Sequence, residues 1–371
     1  MGNRSAQCRA PFTYEGLQTR VIFGSGTRRV VREEVERLGL SRILVLYGPL
    51  HAAIGSEITK QLGPRHAGTF AGARMHTPVS VTEEALDIAA ELKVDGVVSM
   101  GGGSTTGLAK ALALRTDMPQ IILPTTYAGS EMTPILGETV DGVKTTLRSP
   151  KVLPETVIYD VDLTMEMPVG LSGVSGMNAL AHAIEALYAR DANPVISALA
   201  LQSVRALVKA LPRIHSDGSD VGARTDALYG AWLAGMCLGS VGMALHHKLC
   251  HTLGGAFDLP HAETHAIVLP HSLAYNASAI PEVISQLREA LGVTDVPAEL
   301  QRVNDAVGVP RGLGAIGMPE AGVEQAVDLA LANPYWNPRP LERQGLLDLI
   351  SRAYRGEPAV CEAVSGGCHT A

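Results

Sequence analysis

Histidines are concentrated in one part of this sequence, and two of them have helical spacing. Six of the twelve histidines lie in residues 246–271, and His247 and His251 are four residues apart. Residues four apart share one face of an α-helix. With His261, which follows Pro260, they predict a group of converging imidazoles. Such a group suits either the binding of a divalent metal or proton transfer near neutral pH.

A second polar pair interrupts an apolar stretch with helical spacing. Asn178 and His182 are also four residues apart, and their neighbours are mostly alanine, leucine and isoleucine. A lone histidine on an apolar face is more often a packing residue, but two pairs at this spacing favour a site. Packing explains the other histidines of the region equally well, namely His246, His265 and His271.

A glycine loop follows a predicted strand and opens a predicted helix. Gly101, Gly102, Gly103 and Ser104 come directly after Val-Val-Ser-Met, and they lack the spacing of the GxGxxG fingerprint. Glycines let the backbone approach a ligand, and a helix start offers free N–H groups and a positive dipole end, which suits pyrophosphate. The alternative is a tight turn without a ligand. A second polar loop after the next strand favours the ligand, and its candidate residues are Thr125, Thr126 and Ser130.

Short apolar runs alternate with amphipathic segments in the first part of the chain. Strands are predicted at 42–47, 96–100, 120–124 and 156–160, and helices at 27–38, 81–92 and 105–114. This alternation predicts a parallel sheet with helices on both faces. Later residues are rich in Ala and Leu and predict seven to nine helices. We therefore predict a Rossmann-like α/β dinucleotide-binding domain at 1–165 and an all-α domain carrying the histidines at 166–371.

Composition and charge exclude several classes of protein. The net charge is −7 and the sequence has no basic stripe, so we expect no nucleic-acid partner. No uninterrupted apolar run reaches about 18 residues, and the first residues lack the apolar stretch of a signal peptide. We expect no membrane partner and a cytoplasmic location. The five cysteines are scattered without a CxxC pair, which predicts reduced thiols.

Several of these motifs together resemble the iron-containing alcohol dehydrogenase family. They are GGGSTTGLAKA, PTTYAGSEMT, GMNALAHAIEALYA, HHKLCHTLGG and LPHAETHA. The resemblance runs from about Phe12 to the late helices, and it implies a nicotinamide cofactor and a homodimer. Pyrophosphate would lie on residues 101–104 with the second loop opposite, and Lys144 matches a lysine that contacts the cofactor ribose. The metal-ligand positions of the family match Asn178, His182, His247 and His261, and His251 matches a histidine associated with proton relay near the nicotinamide.

Three departures from the family pattern change these expectations. Asn178 stands where the family has an aspartate ligand, which removes the anionic donor. Gly107 stands where the glycine-loop motif has an aspartate. The expected acidic residue after the second strand is absent from Tyr47-Gly48-Pro49, so either NADH or NADPH fits. The first two departures are typical of family members that reduce a conjugated carbon–carbon double bond during aromatic-ring degradation.

We therefore expect an NADH- or NADPH-dependent reductase of a small dicarboxylate, without a metal. An alcohol dehydrogenase needs a Lewis acid to stabilise an alkoxide, whereas imidazoles can stabilise an enolate. A site without a buried aspartate would also repel a dianion less, and Lys248 and Arg190 are candidate carboxylate partners. Two alternatives stay open: a metal-dependent alcohol or aldehyde reductase on the same fold, and a non-catalytic ligand-binding protein that has kept it.

Overall fold

A six-stranded parallel sheet forms the first half of the structure. The computed structural model describes residues 11–74, 77–140 and 143–361. The sheet has the order β1-β8-β5-β4-β2-β3, and every pairing in it is parallel. A separate antiparallel hairpin is formed by β6 and β7. The strands are β1 (Arg20–Gly24), β2 (Ile43–Tyr47), β3 (His66–Phe70), β4 (Gly96–Gly101), β5 (Gln120–Pro124), β6 (Ile135–Val140), β7 (Val143–Arg148) and β8 (Thr156–Asp160).

Four α-helices connect the strands of this half, as parallel pairing requires. They are α1 (Val31–Arg37), α2 (Ala52–Leu62), α3 (Val79–Glu91) and α4 (Gly103–Thr116). The central strands β4, β5 and β8 are buried along their whole length. Continuous apolar runs are typical of strands covered on both faces.

Nine α-helices follow within the described residues. They are α5 (Val169–Leu187), α6 (Pro194–Ser216), α7 (Val221–Ser240), α8 (Leu245–Phe257), α9 (His261–Asn276), α10 (Pro281–Leu291), α11 (Val296–Ala306), α12 (Gly322–Ala332) and α13 (Arg343–Arg355). The predicted combination of a parallel-sheet α/β half and a helical half is thus confirmed. β8 ends at Asp160 and α5 begins at Val169, while the division at 165/166 stays a prediction.

Helix α5 is the central helix of the second half, and glycines let its neighbours approach closely. It contacts α6, α7 and α9. A Cβ on Gly176 would lie 2.2 Å from Leu211 of α6, and one on Gly173 would lie 2.8 Å from Val307. Nearly all of α5 is therefore buried, and its polar side chains must find partners inside the protein or on a ligand.

One apolar cluster includes residues of both halves, from Leu44 in the sheet to Ala353 in α13. Helix α6 is long and apolar enough to span a membrane by length and composition. In the structure its apolar face packs inside the helical half through residues such as Ile196, Val204 and Leu207. Among the described cysteines, Cys237, Cys250 and Cys361 are free thiols, and the other two cysteines, Cys8 and Cys368, lie outside the described residues.

Candidate active site

The glycine loop lies at the carboxyl end of β4 and begins α4. Gly101 has φ +152, which L side chains rarely adopt, and a Cβ there would lie 2.4 Å from Thr105 Oγ1. Gly102 precedes the first helical residue, Gly103, and no side chain caps this helix start. The first N–H groups of an α-helix have no intrahelical acceptor, so this start can bind an anion.

The second polar loop follows β5 and lies beside the first. Thr125 N–H donates to the carbonyl oxygen of Gly101 over 3.0 Å. A Cβ on Gly102 would lie 3.0 Å from Thr126 Cγ2. Gly129 has φ +77 and packs 3.1 Å from Gly235 of α7, measured from its ideal Cβ to the Gly235 Cα. The two loops therefore meet at one edge of the sheet, next to the helical half.

Lys110 on α4 holds the end of the second loop in place. Its buried Nζ donates to the carbonyl oxygens of Ser130, Thr133 and Ile135, the last two over 2.7 and 2.9 Å. Burial lowers the pKa of Lys110 to about 7, against a smaller opposing effect of Glu131. The sequence analysis did not single out this lysine, because a lysine at helical spacing is usually a solvated surface residue.

A cleft of about 480 Å³ runs from these loops to the helical half. It is lined by the loop residues Gly103, Ser104, Ala128 and Ser130. From the helices it is lined by Asn178, His182, His247, His251 and His261. All the histidines predicted for the site therefore meet at one cleft. The rest of the two loops lies behind these lining residues. There Gly101 and Gly102 of the first loop contact Thr125 and Thr126 of the second.

Asn178 and His182 lie on one face of α5, deep in the cleft. Both are nearly fully buried, and Asn178 Oδ1 and both ring nitrogens of His182 have no hydrogen-bond partner among the described residues. Burial, followed by the nearby His247 and His261, lowers the pKa of His182 well below its usual value. Buried polar atoms without hydrogen-bond partners are rare. The neutral imidazole of His182 and the amide oxygen of Asn178 are therefore candidates to bind a ligand.

His247 is held by a carboxylate that the sequence analysis missed. Glu185 lies on α5, three residues after His182, and is fully buried. It accepts a hydrogen bond from His247 Nδ1 and another, of 2.8 Å, from the backbone N–H of His246. His247 lines the cleft, and its Nε2 is buried with no hydrogen-bond partner in residues 11–74, 77–140 and 143–361. The sequence signal was an acidic residue in an otherwise apolar helix.

His251 and His261 lie at the more exposed side of the cleft. The ring centroids of His251 and His247 are 6.1 Å apart. His251 Nδ1 lies 3.3 Å from the hydroxyl oxygen of Tyr335, which also lines the cleft. Tyr335 belongs to the loop between α12 and α13, 84 residues from His251 along the chain, so spacing gave no signal for it.

Other residues named from the sequence lie elsewhere. Lys144 belongs to β7, opposite Thr139. Arg190 is exposed, and neither Arg190 nor Lys248 lines the cleft. Lys248 Nζ lies 5.6 Å from the ring centroid of Tyr335, which does line it. His271 lines a separate cavity of about 650 Å³ in the helical half. His246 and His265 are fully buried behind the cleft wall.

Gly107 allows one wall of the cleft to close tightly. A Cβ at this position would lie 2.4 Å from Thr77 Oγ1. Thr77 is buried and also lines the cleft. An aspartate at this position would therefore require the Thr77 side chain to move.

Similarity to known proteins covers nearly the whole chain. The sequence model of the iron-containing alcohol dehydrogenase family matches residues 18–161. The model of the C-terminal part of that family matches residues 173–354. A maleylacetate reductase from Rhizobium sp. (strain MTP-10005) is 52% identical over 93% of this chain and 98% of its own. The structure of maleylacetate reductase from Agrobacterium tumefaciens is 51% identical, covers 94% and 100% of the two chains, and has a TM-score of 0.92.

An iron-containing alcohol dehydrogenase from Corynebacterium glutamicum has a TM-score of 0.91 at 42% identity, over 95% of this chain and 100% of its own. The same fold therefore occurs in relatives named maleylacetate reductase and in one named iron-containing alcohol dehydrogenase. The chain belongs to the iron-containing alcohol dehydrogenase family.

Proposed function

We propose that this protein reduces the carbon–carbon double bond of maleylacetate to give 3-oxoadipate, with NADH or NADPH as the reductant, in the degradation of aromatic compounds. The observation that carries the proposal is the cleft itself. It joins a glycine loop suited to pyrophosphate with imidazole and amide atoms that have no hydrogen-bond partner in the part of the chain that the structure describes. The maleylacetate reductases at about half identity over nearly the full chain support this substrate.

The loops after β4 and β5 fit a dinucleotide. Residues 101–104 present the N-terminus of α4 without a capping side chain or an acidic residue in the first turn. Thr125, Thr126 and Ser130 form the facing side, and Lys144 would contact the ribose. When bound, the reduced nicotinamide supplies a hydride. The residues directly after β2, Gly48 and Pro49, include no acidic side chain that would discriminate NADH from NADPH.

The histidines would divide the remaining work. Glu185 fixes the tautomer of His247 with hydrogen on Nδ1, so that Nε2 faces substrate. We assign substrate positioning to His247, together with His182 and His261. A neutral His182 or His261 can donate an N–H hydrogen bond to an enolate, whereas neutral His247 can only accept through Nε2. We assign the proton donation to His251, because its exposed ring can regain a proton from solvent between turnovers. Lys248, near Tyr335 at the cleft, is the candidate partner of a substrate carboxylate.

We infer that the family's metal position is poorly suited to a tightly bound divalent ion in this chain. Asn178 offers a neutral amide oxygen in place of the aspartate ligand of the family pattern. Within the described residues, His182, His247 and His261 do not bring their ring nitrogens within 4.8 Å of one another. Ligands of one tetrahedral metal lie about 3.3 Å apart. We therefore propose that the reaction uses no metal at this position.

Substrate preference tests this proposal against the metal-dependent alternative. We expect rapid oxidation of NADH or NADPH with maleylacetate, and little reaction with simple aldehydes or, in reverse, with alcohols. A preference for alcohols or aldehydes that depends on added iron or zinc would favour the metal-dependent reductase. Loss of activity toward all of these substrates, with cofactor binding retained, would favour a ligand-binding protein.

A cytoplasmic location and a homodimer remain part of the proposal. Neither follows from the arrangement of the cleft. The mass of the purified protein in solution, measured by light scattering, tests the homodimer directly.

A further inference from the structure

Three buried side chains behind the cleft wall form a second group of potential ligands. This thiol–imidazole cluster consists of His246, Cys250 and His265, and one ligand atom of each lies within 4.8 Å of the others. His246 Nε2 is 3.0 Å from His265 Nδ1 and 3.7 Å from Cys250 Sγ. The three residues are almost completely buried, and none of them lines the cleft.

A serine sets the tautomer of His246. Ser272 Oγ donates its hydrogen to the carbonyl oxygen of Leu269 over 3.1 Å. Ser272 Oγ also lies 3.1 Å from His246 Nδ1, so the serine oxygen accepts the Nδ1 hydrogen. His246 Nε2 therefore carries a lone pair directed at the other two members of the cluster. Metal-binding histidines are commonly oriented by such a hydrogen bond on the opposite ring nitrogen.

The two distances from His246 within the cluster are close to those of a tetrahedral metal site, and the Cys250–His265 separation is at most 4.8 Å. With Zn–N bonds of about 2.0–2.1 Å and a Zn–S bond of about 2.3 Å, two nitrogens lie about 3.3 Å apart and nitrogen and sulfur about 3.6 Å. The separations of 3.0 and 3.7 Å differ from these by a few tenths of an ångström. Zinc also accepts three protein ligands with one position left for a small molecule.

The charges around the cluster favour a cation. Glu185 accepts a hydrogen bond from the backbone of His246, so a buried carboxylate lies beside it. A free cysteine carries a thiol proton, and zinc binds the thiolate of Cys250 only once that proton has left. A divalent ion would replace that proton, which leaves to solvent, and would balance the thiolate and the carboxylate. Soft thiolate combined with imidazole suits zinc better than magnesium or calcium.

We propose that the thiol–imidazole cluster is a binding site for one zinc-like divalent ion, separate from the metal position of the family. The rings of His265 and His261 lie close together, with centroids 4.3 Å apart and a tilt of 56°, and His261 lines the cleft. Entry would therefore pass the imidazoles of the cleft. An ion here would link α8 to α9 directly behind His247. The proposal concerns binding alone and goes beyond the proposed reductase activity.

Cobalt binding tests this site in the full-length protein. Co²⁺ is added to the metal-free protein, and absorption and stoichiometry are measured. We expect about one equivalent of Co²⁺ with the sulfur-to-cobalt charge-transfer absorption of a thiolate ligand. Cys250→Ser should abolish that absorption. Cys237→Ser should keep it, because Cys237 is a buried thiol of α7 outside the cluster.

His182→Gln separates the cluster from the cleft, and it should also keep the absorption. Stoichiometric Co²⁺ binding that is lost in His182→Gln but kept in Cys250→Ser would place the ion in the cleft and overturn the proposal. Absence of thiolate absorption in the wild-type protein at saturating Co²⁺ would overturn it as well. Thermal melting checks the fold of each variant, with Cys250→Ala as the replacement if Cys250→Ser does not fold. Because every readout is binding, failure here leaves the proposed reductase activity intact.

Discussion

The buried carboxylate of Glu185 accepts a hydrogen bond from Nδ1 of His247. The two residues are 62 positions apart, on α5 and α8, and the same carboxylate also accepts from the first turn of α8 at His246. One residue therefore positions a helix, orients an imidazole and selects its tautomer. This contact joins the two histidine-bearing helices on which the proposed substrate site depends.

Replacement of Glu185 tests that positioning role. Glu185→Gln keeps the shape of the side chain but exchanges a charged acceptor for a neutral amide. A hydrogen bond to a charged group contributes about 1.5–3 kcal/mol, so we expect the KM for maleylacetate to rise about 10- to 100-fold. NADH affinity should stay the same, because the glycine loop is untouched. Glu282→Gln, at an exposed carboxylate of α10, is the control, and an equal effect of both variants would contradict the assigned role.

Replacement of the two cleft histidines of α8 should change different kinetic constants. A positioned general acid contributes about 10²–10⁴-fold to rate, so His251→Ala should lower the turnover of maleylacetate by that factor. His247→Ala should mainly raise the KM. Steady-state kinetics with saturating NADH measures both values. Near-normal turnover in His251→Ala with collapse in His247→Ala would reverse the roles, and normal turnover in both would mean that these histidines only pack.

The glycine loop should be indispensable for cofactor binding. The backbone φ of Gly102 is −84, which a branched residue can adopt, but its Cβ would lie 3.0 Å from Thr126. Gly102→Val therefore fills the space between the two loops without breaking the sheet. We expect loss of NADH binding in fluorescence titration with a retained melting transition. Gly170→Val is the control, because its Cβ meets no atom within 4 Å, and unchanged NADH affinity in Gly102→Val would refute the cofactor placement.

Restoring the missing anionic ligand should create metal affinity in the cleft. We expect Asn178→Asp to bind Fe²⁺ or Zn²⁺ more tightly than the parent chain and to lose reductase turnover, since a buried carboxylate repels a dianionic substrate. The measurement is equilibrium dialysis, made in the Cys250→Ser background so that the thiol–imidazole cluster does not contribute. Equal metal binding with and without the aspartate would show that the residue at 178 does not limit metal binding.

Buried strands were predictable, and edge strands were not. The strands at 120–124 and 156–160 agree with β5 and β8 residue for residue, because both are continuous apolar runs in the middle of the sheet. The sequence analysis missed β1 and β3, which are the two edges of the sheet and bury less of their surface. It also missed the hairpin of β6 and β7, which lies outside the main sheet.

Some residues of the candidate site were predictable from the sequence, and others were not. Spacing along one helix predicted the pairs Asn178–His182 and His247–His251, since residues four apart share a face. Glu185 and Tyr335 complete the site through contacts between distant segments, 62 and 84 residues apart. Such contacts depend on how helices pack, which a single sequence does not reveal.

The central claim is a reductase that needs no metal in its cleft. The most direct measurement treats the purified protein with a strong chelator, removes it, and then adds maleylacetate with NADH or NADPH. We predict oxidation of the cofactor at an undiminished rate, with one 3-oxoadipate formed for each cofactor consumed. An inactive protein that recovers only when iron or zinc is restored would contradict this account.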